Sequence, residues 1–208
     1  MLDKYFKEIY CFNLKKRNDR LTHIKNQLKK INCKNYNIIE SVDGYSIPNP
    51  TSLKNGMYGL VKTYLKLYDR LKNKDYNDLV IIEDDCIFSD DFVEKGENLI
   101  NNVPDDWEML YFGGNHNTHV GERQPMNINK DIIKLHNTYS AHCVVLKKHV
   151  FEDLINTLKT FSIENDVFMA KLQKKYKAYS TKNKITWQLP GESNIENRVV
   201  NYDWILKK

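Results

Sequence analysis

"LVIIEDDCIF" (79–88) sets four apolar residues directly against three carboxylates. Leu79 to Ile82 form the uninterrupted apolar run of a short strand buried on both faces, the pattern of a parallel sheet. Glu83, Asp84 and Asp85 then bring up to three negative charges to the point where that strand must end. Adjacent like charges repel and are costly to desolvate, so the placement calls for a physical reason.

On both sides of this strand the chain alternates strand and helix patterns. "EIYCFNL" (8–14) reads as a first strand, followed by the charged turn "KKRNDR". Leu21, Ile24, Leu28 and Ile31 then mark one face of a helix. "YNIIESV" (36–42) is a second strand, closed by the turn dipeptide Asp43-Gly44. Leu60, Tyr64, Leu67, Tyr68 and Leu71 recur at helical spacing before the acidic strand. After it, Asp90 and Asp91 suit a helix start, and that helix ends before Pro104. "WEMLYFGG" (107–114) is a strand with a glycine pair at its exit, and a polar, irregular stretch follows to about Asp131. "YSAHCVVL" (139–146) is a strand, "KKHVFEDLINTLK" (147–159) and "ENDVFMAKLQKKY" (164–176) are helices, and "KAYS" is a short strand. The remaining stretch, to "VVNYDWILKK", has no clear period.

This alternation predicts an α/β fold with a mostly parallel sheet flanked by helices. Ligands of such sheets bind beyond the carboxyl ends of the strands, where residues 13–17, 83–85 and 113–115 all fall.

The 208 residues suit one sizeable domain, and 41% hydrophobic with 12% aromatic residues supports a real core. The formal charge of +5 comes from lysines spread among apolar residues, which reads as a solvated surface; no basic-aromatic stripe marks a nucleic-acid binder. Cys11, Cys33, Cys86 and Cys143 lie too far apart for a zinc pattern and are expected to be reduced core thiols. No apolar run approaches the roughly 18 residues that cross a membrane. The expectation is a soluble, cytoplasmic chain.

Carboxylates crowded at a strand end become tolerable when a divalent cation sits among them. Mg²⁺ and Mn²⁺ prefer hard oxygen ligands and complete their shells with water and phosphate oxygens. Along a strand Glu83 and Asp85 are expected to point one way and Asp84 the other, so one ion does not take all three. Asp84 and Asp85, at the open end, are the metal candidates, and Glu83 is a candidate for a ribose hydroxyl or a backbone amide. The competing reading is a solvated acidic turn leading into the next helix. Of the histidines, His142 reads as a packed strand residue, while His116 and His119 sit in a polar loop suited to contacts with a second substrate.

The ordered motifs resemble those of glycosyltransferase family 25, which includes lipooligosaccharide and collagen galactosyltransferases. "FNLKKRNDR" (12–20) is similar to the family's opening Asn-Leu-x-Arg-Arg-x-Asp-Arg turn, and "SVDGYSI" (41–47), "VIIEDDCIF" (80–88), "WEMLYFGG" (107–114), "TYSAHCVVLKKH" (138–149), "ENDVFMAKL" (164–172) and "SNIENRVVNYD" (193–203) follow in order. The resemblance implies a GT-A fold, with a Rossmann-like nucleotide-sugar half over about 1–105 and an acceptor half over about 106–208. It implies a UDP-sugar donor, most often UDP-galactose, Mn²⁺ (or Mg²⁺) at the acidic motif, and a glycan, lipooligosaccharide or glycosylated protein as acceptor. By carry-over, Asn13, Leu14 and Arg17 border the nucleotide, and Val42, Asp43 and Gly44 its uracil or ribose. Glu83 and Asp84 complete the donor contacts, with Arg17 or Lys62 helping to stabilise the leaving diphosphate.

Asp166, at the start of the 164–176 helix, is the candidate base for inverting transfer, and Glu164 can exchange roles with it. Gly113, Gly114 and Asn115 are the acceptor candidates, because two glycines at a strand exit let a ligand approach the backbone. The chain departs from the family in two places. "GLVKTY" (59–64) stands where members carry Gly-Cys-x-x-Ser-His, so Thr63 keeps a hydroxyl and Tyr64 replaces the histidine; Asn194 stands where the family tends to place Asp. A module that binds nucleotide-sugar or glycan without turnover is the alternative.

Overall fold

The structure, a computed structural model, describes residues 1–116, 124–162 and 165–202. Among these, α1 (Leu2–Tyr5), β1 (Glu8–Leu14), α2 (Asn18–Lys30), β2 (Asn37–Ser41), α3 (Asn55–Leu71), β3 (Asp78–Glu83), β4 (Cys86–Phe88) and α4 (Phe92–Asn102) make up the first half. The second half contains β5 (Met109–Tyr111), β6 (Asn115–His116), β7 (Met126–Asn127), β8 (Ile132–Lys134), β9 (Thr138–Tyr139) and β10 (Cys143–Lys147). It continues through α5 (Lys148–Leu158), α6 (Asn165–Leu172), β11 (Ala178–Thr181), β12 (Thr186–Gln188), β13 (Gly191–Ser193) and β14 (Arg198–Val200).

Eight strands form one sheet in the order β2-β1-β3-β10-β5-β11-β8-β7. Alternate residues of its central strands enter two separate cores. Tyr10, Phe12, Leu79 and Ile81 pack with Val61, Tyr64 and Leu67 of α3 and with α5, whereas Ile9, Cys11, Val80 and Ile82 pack with Ile24 and Leu28 of α2 and with Phe92 and Leu99 of α4. Leu79 to Ile82 are fully buried, as an uninterrupted apolar strand requires. Burying each such side chain contributes roughly 1.5–3 kcal/mol before entropy is counted. All four cysteines are free and buried. No helix among the described residues is long and apolar enough to cross a membrane.

The α/β architecture is the expected one, with a finer difference: the sheet is mixed. β1 runs parallel to β2 and β3, and β11 parallel to β5, but β10 is antiparallel to both β3 and β5. Between β5 and β10 the described chain contains short strands and turns with no crossover helix. A parallel return needs such a crossover and an antiparallel one does not. Two registers position the site. Phe12 lies opposite Glu83 and Leu14 opposite Ser41, so the carboxyl ends of β1, β2 and β3 share one edge. Cys143 lies opposite Ile82, and the Glu83 N–H donates to the His142 carbonyl at 2.9 Å.

Candidate functional site

A cleft of about 820 Å³, counting the space open at its mouth, lies at that edge. Phe12, Leu14 and Ser41 to Tyr45 border it from the ends of β1 and β2, and Glu83, Asp84 and Asp85 from the end of β3. The first turns of α3 add Gly56, Leu60 and Thr63. The remaining wall is the stretch without period: Gln188 and Leu189 leaving β12, then Ser193 to Ile195, Val200 and Tyr202 around the β13–β14 hairpin.

Backbone contact fixes the α3 side. A Cβ on Gly44 would lie 1.8 Å from the Asn55 carbonyl oxygen, and one on Gly59 2.4 Å from that of Val42. Only glycine lets the loop after β2 and the start of α3 approach this closely. Thr63 locks the pair, accepting the Val42 N–H at 2.9 Å and donating to the Gly59 carbonyl at 2.8 Å. Gly56 makes the same close approach to Ile195, seating the hairpin on α3. Asp43 takes the Lys16 ammonium, the Ser46 hydroxyl and the Tyr45 N–H, and Lys16 above all holds its carboxyl below the usual range.

The acidic cluster is arranged differently from strand alternation. β3 ends at Glu83, and Asp84 and Asp85 lie in the turn to β4, so one guanidinium reaches both. Arg20 Nη1 donates to Asp84 Oδ1 at 3.1 Å and to Asp85 Oδ2 at 3.0 Å. Asn13 Nδ2 donates to Asp84 Oδ2 at 2.7 Å, and Gln188 Nε2 to Glu83 Oε2 at 3.2 Å. Burial pushes the Asp84 and Asp85 carboxyls upward despite Arg20, so these partners do not fully offset desolvation.

Among the described residues no three His, Cys, Asp or Glu side chains group as a self-sufficient metal site. A Mg²⁺ or Mn²⁺ ion that draws on water and phosphate oxygens needs fewer protein ligands. Asp85 Oδ1 is buried with no hydrogen-bond partner among the described residues, and beside it stands the Asp84 carboxylate, a hard oxygen donor held by Arg20 and Asn13. The residues present fit such an ion.

Other candidates fall elsewhere. Arg17 does not line the cleft: Nε and Nη2 bind Asp19 at 2.9 and 2.7 Å, and Nη1 donates to Asn194 Oδ1 at 2.7 Å. Lys62 is not among the residues bordering the cleft. Gly113, Gly114 and Asn115 also lie outside it, and glycine there has a packing reason. A Cβ on Gly113 would meet the Thr186 carbonyl oxygen at 2.2 Å, and one on Gly114, at φ +150°, would meet Thr138 Cγ2 at 2.6 Å. Asn115 pairs with Tyr139. Tyr64 is fully buried behind the cleft-lining Phe12, edge-on to it with centroids 5.0 Å apart, and does not itself border the cleft. Asp166 is the second residue of α6, which packs against α3, α5 and β9; its side chain, Glu164 and His119 lie outside the described residues.

Sequence reasoning missed Arg20 and Gln188, and it placed Ser193 and Asn194 in a motif without seeing the hairpin they belong to. The signal for Arg20 was its place at the end of "FNLKKRNDR"; for the hairpin it was the motif "SNIENRVVNYD" (193–203), which carries no hydrophobic period.

The sequence profile of a family described as glycosyltransferase family 25 (LPS biosynthesis protein) matches residues 6–189. No curated protein matches the chain. A crystal structure of a glycosyltransferase involved in the glycosylation of the major capsid of PBCV-1 is similar at 9% identity and TM-score 0.39, over 74% of this chain and 63% of that one. The chain thus spans less than two thirds of that protein's length. The crystal structure of A197 from STIV is similar at 13% identity and TM-score 0.46, over 97% of this chain and 94% of that one.

Proposed function

The chain belongs to glycosyltransferase family 25, and on that footing we propose that it transfers a sugar, galactose, from a UDP-sugar held in the cleft to a glycan, lipooligosaccharide or glycosylated protein. The observation that carries this reading is the meeting, at one cleft, of Leu14, Val42 to Gly44 and Glu83 to Asp85, three separate stretches at the carboxyl ends of parallel strands. Val42, Asp43 and Gly44 border the uracil and ribose. Asn13 holds Asp84 in place, and Glu83, steadied by Gln188, faces the ribose hydroxyls.

Asp84 and Asp85 would hold Mn²⁺ or Mg²⁺, which when bound neutralises the diphosphate and stabilises it as a leaving group. The hairpin wall excludes water from the donor. In transfer with inversion, the acceptor hydroxyl oxygen forms a bond to the anomeric carbon as the bond to the diphosphate oxygen breaks. The hydroxyl proton passes to a carboxylate, Asp166 with Glu164 as its substitute. Arg17 acts through the hairpin rather than on phosphate directly, as its bond to Asn194 indicates.

The test is a screen of UDP-sugars for donor hydrolysis with Mn²⁺, read as UDP release. UDP-galactose is expected to be hydrolysed fastest. Faster release from another UDP-sugar would replace galactose, and neither release nor UDP binding with any of them would overturn the donor reading.

A further inference from the structure

Arg20 closes the "FNLKKRNDR" turn, and none of the roles above uses it. Its side chain is only 10% exposed. One nitrogen, Nη1, binds both acidic side chains, at 3.1 and 3.0 Å, and the other, Nη2, donates to the Glu192 carbonyl of β13 at 2.6 Å. The same hairpin is held by Arg17 at Asn194 and by the Leu189 N–H on the Asp85 carbonyl at 2.7 Å. Gly191, where the hairpin begins, sits at φ +150° with open space around its Cβ position, and further along the hairpin Ile195 rests on Gly56 of α3.

We propose that Arg20 is a positioning residue that couples the acidic pair to the β13–β14 hairpin and so builds the far wall of the cleft. This rests on the reading of the cleft as the donor site. A planar guanidinium donates along several fixed directions at once, so one side chain sets the spacing between two carboxylates and a distant backbone carbonyl. Lysine keeps the charge and loses the fork. A charge-compensating role survives Arg20→Lys, and a positioning role does not.

The first measurement is hydrogen exchange of 191–200 in the free protein. Arg20→Lys is expected to speed exchange there about tenfold or more, with β1 and β3 unchanged, as a local opening would. The KM for the UDP-sugar should rise about tenfold while kcat changes little, the sign of lost donor positioning. Arg20→Gln leaves two buried carboxylates uncompensated and can fail to fold. Arg20→Gln with Asp85→Asn relieves that charge, and its hairpin should still exchange fast. Wild-type exchange of the hairpin in Arg20→Lys, or its recovery in the double variant, would overturn the proposal. Failure of the wild type to bind UDP would instead strike the donor reading, because the exchange result needs no ligand.

Discussion

The Thr63 hydroxyl serves two backbone groups at once, the Val42 N–H on the cleft wall and the Gly59 carbonyl within α3. Thr63→Val keeps the shape but leaves the Val42 N–H without its acceptor, at a cost of about 1–3 kcal/mol. Thermal unfolding should show this loss, and Thr63→Ser should restore most of it; a valine variant as stable as wild type would remove the lock. His142 supports a prediction in pH. It is fully buried, and desolvation, with the Lys184 charge adding to it, depresses its pKa from 6.5 to about 4. Because the unfolded chain binds the proton more readily, this residue's contribution is intact above pH 6.5 and is lost as pH falls toward 4. The loss is about 3 kcal/mol at most. Asp84 and Asp85, raised by burial, act in the opposite sense, so the comparison is between wild type and His142→Gln. The variant should flatten the acid limb of the stability curve between pH 6.5 and 4; identical limbs would contradict the assignment. At this scale the acidic cluster was legible because carboxylates crowded at a strand end are a local anomaly. Arg20 was not, because its partners Asp84 and Glu192 lie 64 and 172 positions away.

At the scale of elements, the site depends on how α3 meets the loop after β2. Gly59→Ala puts a methyl within 2.4 Å of the Val42 carbonyl oxygen, a backbone atom that cannot step aside. The helix must shift, and overpacking of this kind costs about 1–3 kcal/mol. A lowered Tm with weakened UDP binding is expected, and an unchanged Tm would mean that α3 sits further from the loop. Gly114→Val should impair folding before it affects acceptor use, since its neighbours leave no room for a side chain. Elements with a strong period, such as Leu60 to Leu71, were readable from sequence. The direction of β10 was not, because alternation reports which faces are buried and not which way a strand runs. The hairpin's shape was hidden for another reason: three-residue strands with no buried side chain carry no hydrophobic pattern, although their residues fall in the motif "SNIENRVVNYD".

For the molecule as a whole, the proposed reaction draws on both ends of the chain, because the cleft is lined from residues 12–85 and from 188–202. In the proposed function the cleft at the ends of β1 to β3 takes the donor, and Asp166 of α6 is the proposed base. Asp166→Asn should leave UDP affinity near wild type and lower transfer by about 10²–10⁴, because its task arises only as the acceptor attacks. Near-normal turnover would move the role to Glu164, and lost donor binding would make Asp166 a donor contact. The ordered motifs made the family legible along most of the chain, as the match over 6–189 bears out. They did not reveal that a side chain at Gly113 or Gly114 would collide with Thr186 or Thr138, since a glycine pair looks alike whether a ligand or a neighbouring strand needs the space. The central claim is that the acidic turn after β3 binds a diphosphate through a divalent ion. Calorimetry of UDP with Mn²⁺ tests it most directly, using wild type, wild type with a chelator, and Asp85→Asn. The account predicts clear binding in the first and a large loss of affinity in the other two; equal affinity in all three would contradict it.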